Sequence, residues 1–346
     1  MNCVDILVGL QWGSEGKGKV TKYLSSEYNA IIRSGGPQAG HTFYHNGTKY
    51  INRQIPCGVF DDCLLYLSPA SIINIEVLEE EIKRYNLSPK KLMIDSKAMV
   101  LTKENIETEI NSSLKSRLGS TCEGVGAAQA DKIMRKGVLF EKFARNSPLE
   151  KYCGDVVKEI HSHIKKEEFI LIEGTQGFGL CLNHGKYPFV TSRDVTSSAL
   201  LNDCGIPPKA HRKTIGVMRT YPIRVGGNSG PTNSREISWE EIERRSNSSR
   251  KIREYTTVTK RLRRIFEQDY DNLERAIMVN APDELALMFL DYINAEDYGK
   301  SSFEDLSDKS KSYASELELK LKVPITLIGT GPDEKHIIDR RKRRNP

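Results

Sequence analysis

The first twenty residues restrict this chain more than any other stretch. A largely apolar run, VDILVGL at 4–10, interrupted only by Asp5, stops at a turn rich in glycine and lysine, QWGSEGKGK at 11–19. Such a run without polar alternation reads as a strand buried on both faces, and strands of that kind belong to parallel sheets covered by helices. The turn then hands the chain to a helix, expected from about Gly18 to Ser26. Gly13, Gly16 and Gly18 free the backbone, while Lys17 and Lys19 supply positive charge. Amides converging at a helix start form a nest for an anion, so the turn reads as a phosphate loop. It departs from the common G-x-x-x-x-G-K-[ST] pattern: Gln11 holds the first glycine position, and Gly18 stands where a hydroxyl residue would hold magnesium.

Further strands are expected at AIIRS (30–34), EEFILIEG (167–174), TIGVMR (214–219), AIMVN (276–280) and ITLIG (325–329), with helical patterns between several of them, notably 76–86 and 306–321. Asn46-Gly47 between β-prone flanks predicts a hairpin. The alternation gives an α/β fold, a mostly parallel central sheet with helices on both faces, read as a single catalytic domain over 1–346. Ligands of such sheets sit at the carboxyl ends of the strands. The second strand runs into RSGGPQAGHT (33–42), which brings His41, a group titrating near neutrality, into a glycine loop as a candidate general acid.

Composition narrows the class. No apolar run is long enough to span a bilayer, and the N-terminus lacks the regions of a signal peptide. Seven cysteines without a C-x-x-C pair argue against a disulfide framework or zinc ribbon, so the expected compartment is the cytoplasm. The net charge is +6, with basic runs at KRLRR (260–264) and RRKRR (340–344). The first suits a carboxylated or phosphorylated ligand; the second reads as a solvated tail, and direct nucleic-acid binding is not expected. His161 and His163 are spaced as a metal pair, but without a third ligand nearby they read as an exposed helix or its end.

The loop QWGSEGKGK followed by GGPQAGHT is similar to the signature of the adenylosuccinate synthetase family, Q-W-G-D-E-G-K-G-K and then G-G-x-N-A-G-H-T. GSTCEGVGAAQADKIMRKG (119–137), EGTQGFGLCLNHGKYPFVTS (173–192), VTKRLRR (258–264) and GTGPDE (329–334) resemble further family stretches in the same order. The resemblance implies a two-step reaction. A purine 6-oxo group is phosphorylated by a nucleoside triphosphate with Mg2+, and aspartate's amine then displaces the phosphate. It implies catalytic roles for His41, as donor to the 6-oxygen, for Gln176, and for position 14. The triphosphate would meet Gly13, Ser14, Glu15, Gly16, Lys17, Gly18, Lys19, Gly40, His41 and Thr42, together with Asn280, Gly329, Thr330 and Gly331. Magnesium would meet position 14 and the Gly40 carbonyl. The purine monophosphate would meet Ser14, Gln38, Ser120, Thr121, Gln176, Thr191 and Arg261, with Arg135 reaching in from the partner of a homodimer. Aspartate would meet Thr257, Val258, Thr259, Arg261 and Arg263.

Four departures modify this. Ser14 replaces the catalytic aspartate, Gln38 the usual asparagine, Glu123 an arginine, and VNAPDE (279–284) stands in for the T-K-L-D motif that reads the guanine of GTP. A serine hydroxyl is no ready base near neutrality. A small neutral residue does leave room beside N1 for a purine 2-amino group. That pattern resembles the bacteriophage branch of the family, 2-amino-2'-deoxyadenylosuccinate synthases of the diaminopurine DNA pathway, which act on dGMP with ATP or dATP; the compartment would then be the host cytoplasm. The alternatives are ordinary adenylosuccinate synthesis from IMP, aspartate and GTP, and a non-catalytic nucleotide or nucleic-acid binding protein.

Overall fold

Val4–Gly9 is a strand with every residue buried, and it lies inside a ten-stranded sheet. The computed structural model describes residues 2–256 and 260–341. Across the sheet the order is Cys153–Gly154, Leu92–Asp95, Leu64–Leu67, Ala30–Ser34, Ile170–Gly174, Val4–Gly9, His211–Arg219, Glu284–Met288, Ile325–Gly329 and Ile337–Asp339. Every pairing is parallel except that of the last two strands. Val4, Ile6 and Val8 point into one apolar layer and Leu7 into the other, the period-2 alternation of a strand covered twice. The first layer is closed by helices that include Val156–Lys165, Tyr270–Asn280 and Asp308–Leu321, and the second by Lys17–Leu24, Ile75–Arg84 and Phe140–Ala144. Asp5, buried on the central strand, accepts from Arg212 Nε (2.7 Å) and the Tyr28 hydroxyl (2.6 Å).

Three additions frame the carboxyl ends of the parallel strands. His41–His45 and Thr48–Asn52 form the expected hairpin, turning at Asn46 and Gly47 with φ of 50° and 74°. Helices Lys103–Asn111, Leu114–Leu118 and Val125–Ile133 form a flank. A small antiparallel sheet of Ile223–Arg224, Arg264–Phe266 and Glu236–Ile237 carries the arginine-rich segment. Among the described residues no helix is long and apolar enough to cross a membrane.

Three expectations are corrected. AIMVN at 276–280 is the end of helix Tyr270–Asn280, not a strand. Asp269 caps that helix through Asn272 N (3.0 Å), and Leu273, Ala276 and Asn280 line its buried face at helical spacing. A short apolar run cannot distinguish the two; here the strand is the next segment, Glu284–Met288. His161 and His163 lie on helix Val156–Lys165, His163 in its last turn as expected, but neither is exposed. His161 bonds the Gly205 carbonyl (2.9 Å), and buried His163 lies between the Tyr66 hydroxyl (3.0 Å) and Glu168 (2.6 Å). The basic terminus is not wholly a solvated tail: Arg340 donates to the Ile325 carbonyl (2.8 Å) and Arg341 pairs with Asp339 (2.6 Å) and Glu27 (2.7 Å), while 342–344 lie outside the described residues.

Candidate active site

The carboxyl ends of the parallel strands open into a cavity of about 1070 Å³. Its floor is the 11–19 loop, in which Gly13, Ser14 and Gly16 all take left-handed φ values of 87°, 57° and 104°. That sequence of conformations turns successive amides to one side, and helix Lys17–Leu24 starts there without a side-chain cap, so its first N–H groups remain available. Gly18 is required by packing. A Cβ added there would stand 2.9 Å from the His41 Cβ and 3.0 Å from the Thr42 carbonyl oxygen, so a P-loop hydroxyl residue does not fit.

The charged side chains of the loop line the cavity and are also tied to protein partners. Glu15 lines the cavity with its side chain fully buried, accepting from Gly13 N (2.8 Å), Gln11 N (3.2 Å) and Lys17 Nζ (2.6 Å), so its carboxylate shapes the loop. Lys17 also reaches the Gln176 carbonyl. Lys19 donates to the carbonyls of Gly331 (2.6 Å) and His336 (2.7 Å), tying the floor to the loop after Ile325–Gly329, and its burial brings its pKa down to about 7. The Ser14 side chain, in contrast, is exposed in the cavity.

His41, at the start of its hairpin strand, reaches across to the carboxyl end of strand Ile170–Gly174. Its Nδ1 lies 2.5 Å from Glu173 Oε1. Glu173 is fully buried and is also held by Arg33 Nη1 (2.9 Å) and Cys57 N (2.8 Å). Burial alone would raise the Glu173 carboxyl; the His41 bond and Arg33 outweigh it and hold it at about 2. Burial and then Arg33 push His41 down to about 4 against the pull of Glu173. The imidazole is therefore neutral at pH 7 with Nδ1–H given to Glu173, leaving Nε2 for a ligand. His41, Cys57 and Glu173 bring donor atoms within 4.8 Å of one another, but Arg33 already neutralises the carboxylate and the buried thiol is pushed well up, which suits hydrogen bonding over a metal.

Buried polar atoms without partners mark where a ligand belongs. Trp12 Nε1, Gln38 Oε1 and Asp291 Oδ1 are such atoms, and all three residues line this cavity. Asp291 lies just past strand Glu284–Met288; burial raises its carboxyl to about 7 despite Lys19 and Arg250. This corrects the placing of the guanine-reading position. VNAPDE lies at the opposite, amino end of that strand, where Asn280 is buried and its amide is committed to Ser197 N (2.9 Å) and the Ala276 carbonyl (2.8 Å). Asn280 cannot meet a nucleotide in the cavity. The turn at the carboxyl end is Met288-Phe289-Leu290-Asp291, which retains an aspartate.

Of the other residues expected at the site, Gln38, Gly40, Thr42, Ser120, Thr121, Gln176, Thr191, Arg263 and Gly331 line the cavity. Gly329 and Thr330 stand behind it: Gly329 ends its strand, and Thr330 is buried with its hydroxyl on the Lys300 carbonyl (2.6 Å). Arg135 is exposed on the turn after helix Val125–Ile133 and away from this cavity, next to exposed Ile133 and Met134. Arg261 packs beside Gly226 and Gly227, outside the lining. Thr257, Val258 and Thr259 lie outside the described residues. Glu123 lines the wall as an ion pair with Arg53 (2.6 Å). Sequence reasoning missed Arg33, Glu173, Arg219, Glu254 and Asp291; a charged residue ending a buried strand, as in EEFILIEG, was the available signal for Glu173.

The family model described as adenylosuccinate synthetase matches residues 6–151 and 140–298. The adenylosuccinate synthetase of Archaeoglobus fulgidus is 37% identical over 345 residues, covering 98% of both chains. That of Pyrococcus horikoshii is also 37% identical, covering 97% of this chain and 98% of its own. Among solved structures, the fully ligated adenylosuccinate synthetase of Plasmodium falciparum shares the fold with a TM-score of 0.88 at 24% identity, covering 99% of this chain and 100% of that one. The succinoaminodeoxyadenylate synthetase of cyanophage S-2L, bound to dGMP and to dATP as an energy donor, superposes with a TM-score of 0.84 at 29% identity, covering 98% and 96%.

Proposed function

This chain belongs to the adenylosuccinate synthetase family, ligases that form carbon–nitrogen bonds, and on that premise we propose that it condenses dGMP with L-aspartate at the expense of ATP or dATP. The product is 2-amino-2'-deoxyadenylosuccinate. The observation carrying this reading is Ser14, a small neutral side chain exposed in the cavity where the family has a carboxylate. Guanine presents two donors on its Watson–Crick edge, N1–H and the 2-amine, whereas hypoxanthine presents one. Ser14 Oγ and the unpartnered Gln38 Oε1 are two neutral acceptors lining the same cavity. The likeness to a cyanophage enzyme that holds dGMP and dATP supports the same pair of nucleotides here.

In this reading the purine 6-oxygen faces Nε2 of His41. Glu173 fixes the ring through Nδ1; the proton that N1 loses passes to Nε2, and Glu173 stabilises the resulting imidazolium, which donates to the 6-oxygen as negative charge gathers there. The 6-oxygen takes the terminal phosphoryl group of the donor, aspartate's amine attacks C6, and phosphate leaves. Arg263, facing the cavity, takes a carboxylate of aspartate. The family uses Mg2+ with its triphosphate. The Ser14 hydroxyl and the Gly40 carbonyl line one cavity and are hard, neutral oxygens, which suits an ion carried in largely by phosphate oxygens. When bound, it neutralises charge on the transferring phosphoryl group. Exposed Ile133 and Met134 beside Arg135 suit a homodimer contact that carries Arg135 into a neighbouring site.

Asp291 favours a second reading. An ionised carboxylate accepts from both N1–H and the 2-amine of a guanine, the requirement for GTP as donor in IMP-dependent adenylosuccinate synthesis. The test is a matrix of dGMP, GMP and IMP against ATP, dATP and GTP, scored by aspartate-dependent phosphate release. The proposal expects dGMP with ATP or dATP to have the highest kcat/KM. A tenfold or greater preference for IMP with GTP replaces it with the second reading.

A further inference from the structure

Glu254 and Arg263 stand opposite one another at the base of a hairpin whose described part is closed by the Arg263 N–Glu254 O bond (2.9 Å), the Tyr255–Leu262 bridge and the Thr256 N–Arg261 O bond (2.8 Å). The Glu254 carboxylate is turned inward and saturated. Oε1 accepts from the Tyr292 hydroxyl (3.0 Å) and from Arg219 Nη2; Oε2 accepts from Arg219 Nη1 (3.2 Å) and Arg263 Nη1 (2.9 Å). These partners come from three segments: the end of strand His211–Arg219, the far side of the hairpin, and the turn that holds Asp291. Arg219, fully buried, extends the link further. Its guanidinium lies 3.9 Å from the centre of the Phe289 ring, and its Nη1 reaches the Ser14 carbonyl (3.3 Å).

The charges do not balance. Two arginines against one glutamate leave one net positive charge in a largely dry place, at the residue that faces the cavity. Burial would raise the Glu254 carboxyl, but Arg219 and then Arg263 hold it down at about 2. Glu254 is already ionised and offsets only one of the two guanidinium groups it touches, which favours an incoming anion at Arg263. The same carboxylate that aims Arg263 is fixed by Arg219 and Tyr292, both anchored on the 289–292 turn.

We propose that Glu254 is a positioning residue that couples the donor-base turn to the aspartate-facing Arg263, so that filling the triphosphate site prepares the aspartate site. This rests on the reading of Arg263 as an aspartate residue given above. A donor base seated against Phe289 and Asp291 immobilises that turn. The turn immobilises Tyr292 and the Arg219 stack, and Glu254 passes the order to Arg263 as a smaller entropic cost of binding aspartate.

The experiment measures the apparent affinity of aspartate, in the presence of the purine monophosphate, with and without a saturating non-hydrolysable triphosphate. Wild type is expected to bind aspartate about 5- to 100-fold more tightly with the triphosphate, within the usual range of coupling between sites. Glu254→Gln should bring that ratio close to one, and Glu254→Asp, which keeps the charge, should recover part of it. If Glu254→Gln does not fold, Tyr292→Phe removes one hydroxyl of the link and should lower the ratio by several-fold. A ratio that stays at the wild-type value in either variant overturns the proposal, even if aspartate affinity falls overall, because a merely structural loss would weaken both states alike. Arg263→Leu separates this from failure of the site reading: unchanged aspartate affinity in that variant rejects the assignment of Arg263, not the coupling.

Discussion

Two glutamates, each paired with an arginine, face each other in role across the cavity. Glu173 holds His41 with help from Arg33; Glu254 holds Arg263 with help from Arg219. Glu173 is buried and Glu254 half-buried at the cavity wall; each is fixed by an arginine that does not line the cavity and presents one group that does. They differ in net charge. The first set is neutral, because the imidazole is neutral and the carboxylate balances Arg33. The second carries one surplus positive charge. A neutral set suits a neutral purine carbonyl on which charge appears only during reaction, whereas a cationic set suits a substrate that arrives already charged. Removal of a member should consequently damage turnover on one side and substrate affinity on the other.

The largest effect is expected at the neutral set. His41→Asn should cut kcat by about 10²–10⁴ while nucleotide binding, measured by equilibrium titration, survives. Near-normal turnover would remove His41 from the mechanism and break the comparison on that side. At the cationic set, Arg263→Leu removes a charge-assisted bond worth roughly 1.5–3 kcal/mol, so the KM for aspartate should rise about 10- to 100-fold with a much smaller change in the KM for dGMP. An equal rise for both substrates would show that the surplus charge does not belong to aspartate.

The phosphate loop and His41 were legible because each is local. A buried strand, a glycine turn and a helix occur within the first 24 residues, and the histidine follows the next strand by a few positions. The central sheet followed from the same alternation. The two glutamates were not legible, since their partners are far away in the chain: Arg33 and Glu173 become neighbours only when Ala30–Ser34 and Ile170–Gly174 pair in register, and Glu254 meets Arg219 only across the cavity wall. Asp291 was missed for a different reason. With 276–280 taken as the strand, the turn at its carboxyl end was sought in 279–284, one element too early. A one-element error in a βαβ unit moves a residue to the other edge of the sheet, as it did for Asn280.

Ser14 sharpens the comparison from the floor between the two sets. Its φ of 57° is left-handed, a region that aspartate enters more readily than most residues, so Ser14→Asp should leave the loop conformation intact. The added carboxylate competes for the space of the 2-amino group. The ratio of dGMP to IMP efficiency, at saturating ATP and aspartate, should fall by about tenfold, which corresponds to roughly 1.4 kcal/mol. A ratio that stays level or rises would mean that serine does not select guanine.

The smallest effect concerns stability in acid, where the two sets should act at different pH. His41 titrates at about 4 in the fold, below the roughly 6.5 of a free histidine, so the unfolded chain takes up the proton first. Its contribution is present above pH ~6.5 and is lost as pH falls from there through about 4. Glu173 and Glu254, both held at about 2, lie below the roughly 4.3 of a free glutamate. Their contributions are present above pH ~4.3 and are lost only as pH falls towards 2. Asp291 works in the opposite sense: raised to about 7, it takes up its proton in the folded state first and adds stability as pH falls from 7 to about 4. The raw melting curve mixes these signs, so the readout is the difference between wild type and His41→Asn. That difference should change by a few degrees between pH 6.5 and 4, and should change again as pH falls from about 4.3 towards 2, because the variant lacks the His41 bond that helps hold the Glu173 carboxyl down. A difference that is flat across the upper window would show that His41 is not held neutral beside Glu173; one that is flat below pH 4 would show that His41 does not hold the glutamate down.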